Sequence, residues 1–243
     1  MKRGVGIALG AVALIGGVGA LGVVGVVALI GTFRVDPVGF DEVIGTPAPP
    51  VTSASPAAAQ VDDAWIADRA LATGIPERAM RAYANADSWA RETLGCAIGW
   101  NTLAGIGWVE SHHGELRGGS VDADGVTRPA ITGIPLDGTN DTMAIPDTDG
   151  GELDGDATWD RAVGPMQFIP ETWLRWAVDG SGDGSVDPQN IDDAAYTAAN
   201  YLCRLDGSLE TDDGWIAAVR SYNDTLDYQT RVATAATRYA EAG

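Results

Sequence analysis

The chain is short of cations. Against 34 Asp and Glu it carries 15 Lys and Arg, Lys2 is its sole lysine, and the formal charge is −19. Binding to a phosphate backbone needs a basic patch, so a nucleic-acid partner is excluded. Histidine is scarcer still. His112 and His113 are neighbours and belong to no His-Glu-x-x-His pattern, which argues against catalytic zinc. Sustained apolar–polar alternation is missing, as is any internal repeat, so an extended sheet is not expected. What the chain has instead is acid, in keeping with a secreted protein that binds cations.

Charge is also missing from residues 4 to 33, which Lys2 and Arg3 precede and Arg34 follows. Thirty helical residues would span roughly 45 Å, against about 30 Å of hydrocarbon. The run reads as a transmembrane anchor over 1–34. The basic pair favours the N-terminus inside and a single pass, with the remainder of the chain outside the cell membrane. A cleaved secretion signal is the alternative, but its apolar stretch is only about 7–15 residues. Residues 35 to 60, with Pro47, Pro49, Pro50 and Pro56 among Ala, Ser and Thr, read as a disordered linker. The globular domain is then 61–243. The cysteines are Cys96 and Cys203. An even count in an exported domain reads as one disulfide, with two buried thiols as the other reading.

The domain is mainly α by pattern. Asp62 and Asp63 offer a cap to a helix carrying Trp65, Ile66, Ala70 and Leu71, and Gly74 stops it. Pro76 suits the first turn of a second helix. A third runs from about Ala97 to Glu110. Pro170 opens a fourth through Trp173, Leu174 and Trp176. Ile191 to Leu205 is a fifth, and Asp212 or Asp213 caps a sixth. The last shows Tyr228, Val232, Ala235 and Tyr239 on one face. Residues 115 to 162 are the exception, a Gly- and Asp-rich stretch too long to lack order of its own, which a few short strands or metal ligands would supply.

Glu110 closes the uncharged run Leu103-Ala104-Gly105-Ile106-Gly107-Trp108-Val109. A lone carboxylate in such a setting is a candidate for a raised pKa, the requirement for a general acid near neutral pH. The ordinary reading, a surface acid at a helix end, stands beside it until further motifs are added. Those are Trp100, Glu110-Ser111, His113-Gly114, Asp147 to Gly151, Asp160 to Val163, Gly164-Pro165-Met166-Gln167-Phe168-Ile169-Pro170, Asn190-Ile191 and Tyr222-Asn223. In this order they resemble the catalytic domain of lytic murein transglycosylases of the membrane-bound B type, in its actinobacterial form, over about 61–243.

The resemblance implies a lysozyme-like fold. It also implies cleavage of the β-1,4 bond between N-acetylmuramic acid and N-acetylglucosamine in peptidoglycan glycan strands, leaving a 1,6-anhydromuramic end, with no cofactor for catalysis. Glycosidases ordinarily use two carboxylates. Here one serves in turn: Glu110 protonates the departing oxygen, then takes the proton of the muramic C6 hydroxyl. Gln167 suits a sugar-facing amide, Tyr222 and Asn223 suit neutral partners for the N-acetyl group or for Glu110, and Ser111 and Met166 are further substrate-binding candidates. Ser111 serves a helix end equally well, and Met166 reads as core or cleft. His113 reads as structural. Eight Trp suit stacking on sugars, although most must be core. A hydrolytic muramidase and a non-catalytic peptidoglycan-binding scaffold for protein partners are the competing readings.

Asp179, Ser181, Asp183, Ser185 and Asp187 follow the opening of an EF-hand loop, with Gly184 at its sixth position. They read as ligands of a structural calcium. Asn190 stands where that loop carries its bidentate Glu, and an Asp-Gly turn without an ion is the alternative. The acids Asp147, Asp149, Asp154 and Asp156 read as a solvated loop, with a second cation site as the alternative.

Overall fold

The computed structural model describes residues 48, 60–140, 142–205 and 208–242. The expected anchor and nearly all of the expected linker lie outside the described residues. Among the described residues no helix is long and apolar enough to cross a membrane. Ala48, within the expected linker, is buried, and its N–H lies 3.5 Å from a carboxylate oxygen of Asp87.

Seven α-helices carry the described chain. They are α1 Asp63–Thr73, α2 Glu77–Trp89, α3 Trp100–Ser111, α4 Pro170–Trp176, α5 Ile191–Leu202, α6 Asp212–Tyr222 and α7 Leu226–Ala242. Local chemistry sets most of their ends. Asp62 accepts from the Trp65 N–H to start α1, and Gly74, left-handed at φ 72°, stops it. Pro170 occupies the first turn of α4, where its missing N–H is harmless. The cap of α6 is Thr211, which accepts from the Gly214 N–H, rather than Asp212 or Asp213. A π-helical turn over Ala90–Leu94 ends the α2 segment, so α3 begins at Trp100, three residues later than its apolar pattern suggests. Leu71 and Leu174 point to solvent, so apolar identity alone misplaced them.

The core forms where α3 meets α7. Leu103, Ala104 and Ile106 of α3 and Val232, Ala236 and Tyr239 of α7 are all buried. Gly105 permits the close approach, because a Cβ there would stand 3.0 Å from the Val232 carbonyl oxygen. At Gly107 a Cβ would collide with the Tyr83 hydroxyl of α2. Each large aliphatic side chain so buried contributes about 1.5–3 kcal/mol. The expected disulfide is formed: Cys96, after the π turn, is bonded to Cys203 at the end of α5. Closing a loop of 107 residues stabilises by up to about 5 kcal/mol in the chain-entropy account.

Between α3 and α4 the chain orders itself with four short strands: β1 Ser120–Val121, β2 Thr127–Arg128, β3 Thr132–Pro135 and β4 Arg161–Val163. They pair as two antiparallel ribbons, β1 with β2 and β3 with β4. The rest of the order comes from carboxylates. Asp147 accepts from the N–H groups of Asp149, Gly150 and Gly151, and Asp160 accepts from the N–H and hydroxyl of Thr148. The architecture is therefore mainly helical with a few short strands, as the pattern suggested.

Candidate active site

Glu110 lies in the last turn of α3. The helix behind it is uncharged, and its flank is half-buried against α7. Tyr228, near the start of α7, donates its hydroxyl to Glu110 Oε1 at 2.6 Å. Burial pushes the Glu110 carboxyl up to about 7. The Tyr228 hydrogen bond and the positive charge of Arg231 pull the other way without cancelling it. The negative end of the α3 dipole works in the same upward direction as burial. The raised carboxyl expected from sequence is thus present.

An aromatic wall stands behind this pair. The Tyr222 ring stacks on Tyr228 with centroids 6.3 Å apart and planes 5° from parallel. Phe168 and Tyr201 meet Tyr222 at 5.5 and 5.8 Å. Burial holds the Tyr222 and Tyr228 phenols far above their ordinary range, so both remain proton donors. The Tyr222 hydroxyl donates to the Met166 carbonyl at 2.8 Å. That bond fastens the end of α6 to the Gly164–Phe168 turn. Gly164 makes the turn possible: its φ is +77°, and a Cβ would overlap the Pro188 carbonyl oxygen.

The expected substrate-binding residues separate into two groups. Gln167 is half-exposed, with φ 50°, and lines a cavity of about 300 Å³ together with Leu116, Arg117, Ile131, Gly133 and Ile134. Its amide nitrogen donates to the Gly164 carbonyl at 3.0 Å, and its Oε1 lies beside Gly133. The nitrogen also donates to the Ala162 carbonyl at 3.4 Å, so the part of the amide left to meet a sugar at the cavity wall is Oε1. Asn223 is exposed, and its Oδ1 accepts from the N–H and hydroxyl of Thr225, so its shown role is to order the turn into α7. Tyr222 supports the wall rather than Glu110 itself.

Ser111 and Met166 are corrected. Ser111 is buried, donates its one hydroxyl proton to the Pro165 carbonyl and accepts from the Gly114 N–H. It ties the end of α3 to the Gly-Pro-Met-Gln-Phe turn and has no proton left for a sugar. The Met166 side chain is fully buried and does not line a cleft. His113 is buried between the Tyr83 and Tyr239 hydroxyls, and burial lowers it to about 3, so it is a neutral structural bridge. Trp89, Trp100, Trp173 and Trp215, half of the eight, are buried and unavailable for sugar stacking.

The residue that sequence reasoning missed is Tyr228. It was read as one of four positions on the buried face of α7, which it is. Its hydroxyl reaches Glu110 because Tyr228 sits in the first turn, opposite the last turn of α3. A phenol at the end of an apolar stripe, rather than within it, was the available signal.

The carboxylates of Asp179, Asp183 and Asp187 do not converge as a calcium loop would require. The group of described acids whose oxygens lie within 4.8 Å of one another is Asp147, Asp149 and Asp160. In the 179–187 loop, backbone N–H groups donate to these carboxylates and to Asp193. Asp179 accepts from Gly182 and Gly184, and its Oδ1 also receives the Ser181 hydroxyl at 3.3 Å. Asp183 accepts from both the N–H and the hydroxyl of Ser185. The buried Asp193 of α5 gathers the N–H groups of Gly180, Ser181 and Asp187.

Residues 145–242 match the family model described as the transglycosylase SLT domain. The match takes in the Gly164–Phe168 turn, Tyr222, Asn223 and Tyr228, and begins after Glu110. Two solved structures share similarity with the chain. One is the Escherichia coli lytic transglycosylase Slt35 in complex with bulgecin A, at 16% identity and TM-score 0.42, covering 74% of this chain and 78% of that one. The other is a 36 kDa muramidase/transglycosylase, at 16% identity and TM-score 0.43, covering 74% and 80%. No curated protein matches the chain. The enzyme class read from the motifs, a peptidoglycan lytic transglycosylase, stands; the membrane-bound B subtype is not singled out.

Proposed function

We propose that this SLT-family enzyme cleaves the β-1,4 bond between N-acetylmuramic acid and N-acetylglucosamine with one carboxyl group, Glu110, and leaves a 1,6-anhydromuramic end. The observation that carries this reading is a single half-buried carboxyl held at about 7, with one oxygen pinned by Tyr228. Among the described residues, no second carboxylate contributes to its shift.

The geometry suits a proton moved twice. Tyr228 donates to Oε1, which leaves Oε2 to carry the proton toward the glycosidic oxygen. As that bond breaks, Glu110 becomes a carboxylate, and Tyr228 already stands as a donor to the charge that develops. Glu110 then accepts the proton of the C6 hydroxyl as that oxygen closes on C1, and no water is consumed. A pKa near 7 keeps both protonation states accessible near neutral pH. Tyr222, stacked on Tyr228, keeps the donor aimed. Gln167 presents its amide oxygen to the glycan from the wall of its cavity. Asn223 positions the N-acetyl group with the amide nitrogen its turn leaves unused.

The apolar run 4–33 anchors this domain to the outer face of the cell membrane within reach of the sacculus.

The test is mass spectrometry of muropeptides released from sacculi. The proposal expects anhydro ends, and products about 18 Da heavier, the mark of hydrolysis, would replace it with a muramidase reading. Glu110→Gln is expected to abolish release, and release unchanged by that substitution would turn the reading to a binding scaffold. A chelator is expected to leave turnover of the folded enzyme intact.

A further inference from the structure

In a chain with formal charge −19, a cavity bordered by two arginines stands out. It has a volume of about 320 Å³ and is lined by Glu171, Thr172, Arg175, Trp176, Tyr201 and Arg204. Arg204 lies over the Tyr201 ring at 3.5 Å, and its guanidinium donates to the Tyr201 carbonyl and to the Ser221 hydroxyl. Arg175, from α4, approaches the face of Trp176 at 5.7 Å, and Arg204 approaches the same ring at 5.8 Å. Burial lowers the pKa of Arg204, Tyr201 opposes that, and the nearby charge of Arg175 adds to the lowering. Among the described residues neither guanidinium has a carboxylate within 4.0 Å, although Glu171 borders the same cavity. Two like charges held on shared aromatic faces, neither paired with a described carboxylate, are in place for an anion that arrives from outside.

The position of the cavity decides which anion. Tyr201 forms its wall and meets Tyr222 edge-on; Tyr222 stacks on Tyr228, and Tyr228 holds Glu110. Arg204 is also fastened to Ser221, the neighbour of Tyr222. The cationic cavity is therefore joined to the acid by two ring contacts and one hydrogen bond. In the substrate of the proposed function, the muramic residue bears an acidic peptide on its lactyl group, beside the bond that breaks. A planar guanidinium pairs with a carboxylate through two parallel hydrogen bonds.

We infer that Arg175 and Arg204 form a carboxylate-binding subsite for the peptide carried by the muramic residue. It makes the enzyme select peptide-bearing strands over bare glycan. The inference rests on the proposed function for its substrate, and its test separates the two.

Arg204 supports Tyr201, so the substitutions are made at Arg175. Binding of an isolated acidic stem peptide and of its fully amidated counterpart is measured by calorimetry with the full chain, free of any turnover. The acidic peptide is expected to bind, more weakly as salt rises. Arg175→Ala is expected to weaken that binding roughly tenfold or more, with Arg175→Lys recovering part of it. Equal binding of the amidated peptide, or no effect of Arg175→Ala, would overturn the inference. In turnover, Arg175→Ala is expected to raise KM on peptide-bearing strands and leave strands stripped of peptide unchanged. An equal loss on both would mean that Arg175 serves the fold or the glycan and would also overturn it. Failure of the proposed function reads differently: wild type would cleave neither strand while the calorimetric contrast persisted.

Discussion

Glu110 and Asp156 are both carboxylic acids of one small domain, and the structure drives them in opposite directions. Glu110 stands at the end of a helix with no charge in its sequence. It receives one hydrogen bond, from a phenol, and burial lifts it to about 7. Asp156 stands in the Gly- and Asp-rich stretch between β3 and β4. It receives the N–H groups of Thr158 and Trp159 and the Arg161 guanidinium, which hold it below the ordinary carboxylate range. The same contrast separates the two regions. The helical region buries apolar surface and leaves its acid undersatisfied. The loop region has less to bury and uses Asp side chains, Asp156 among them, as backbone acceptors, and the one that it does bury, Asp160, is raised by burial as Glu110 is. An acid made charged and fully bonded builds structure, whereas an acid kept near its protonation midpoint does chemistry.

The largest effect expected from breaking this contrast is on turnover. Glu110→Gln keeps the shape and removes the proton, and release of anhydromuropeptides should fall by about 10²–10⁴-fold, read by quantitative mass spectrometry. An equal fall for Asp156→Asn would erase the distinction.

The same substitution should act oppositely on stability. The folded-state pKa of Glu110, about 7, is above the ordinary value of about 4.3 for an unfolded Glu. Through that window the folded state holds more protons, so raising the pH destabilises it. Glu110→Gln removes this penalty. It should stabilise the protein by up to about 3 kcal/mol at pH 8 and by almost nothing below pH 4, measured by denaturant titration at both.

These expectations follow from features the sequence showed unequally. The run from Leu103 to Val109 was legible because apolarity without charge has one physical meaning, and Glu110 followed from it. The face of Tyr228, Val232, Ala235 and Tyr239 was legible by spacing, yet spacing cannot say that one of its hydroxyls ends on a carboxylate. Ser111 and Met166 carried motif identity without carrying contact. They hold the site's two turns together, and a packing residue beside a site looks in sequence like a residue of the site. The 179–187 loop has an EF-hand's opening spacing, but its Asp side chains are as well suited to backbone N–H groups as to an ion. Asp193, which gathers three of those N–H groups, comes from the next helix.

A smaller effect sharpens the role of Tyr228. Tyr228→Phe removes the hydrogen bond that lowers Glu110, so the Glu110 pKa should rise further and the basic limb of the pH–rate profile should move upward. The rate at neutral pH should fall several-fold, in line with about 1 kcal/mol for one such bond. A downward move of that limb would reverse the assigned direction.

The smallest expected effect is at the loop. Asp156→Asn keeps the oxygen acceptor and loses the charge facing Arg161. It should lower the melting midpoint slightly at neutral pH and leave turnover unchanged. The wild-type advantage belongs above the ordinary carboxylate range and should disappear as acid titrates Asp156 through its depressed folded value.

The central claim is tested most directly by an isotope-edited NMR titration of the Glu110 side-chain carboxyl in the full chain, with the other glutamates as internal references. A midpoint near 7, coinciding with the basic limb of the pH–rate profile, is the predicted result. A midpoint in the ordinary glutamate range, about 4–5, would contradict it, because a carboxyl already ionised at neutral pH has no proton to give the departing sugar.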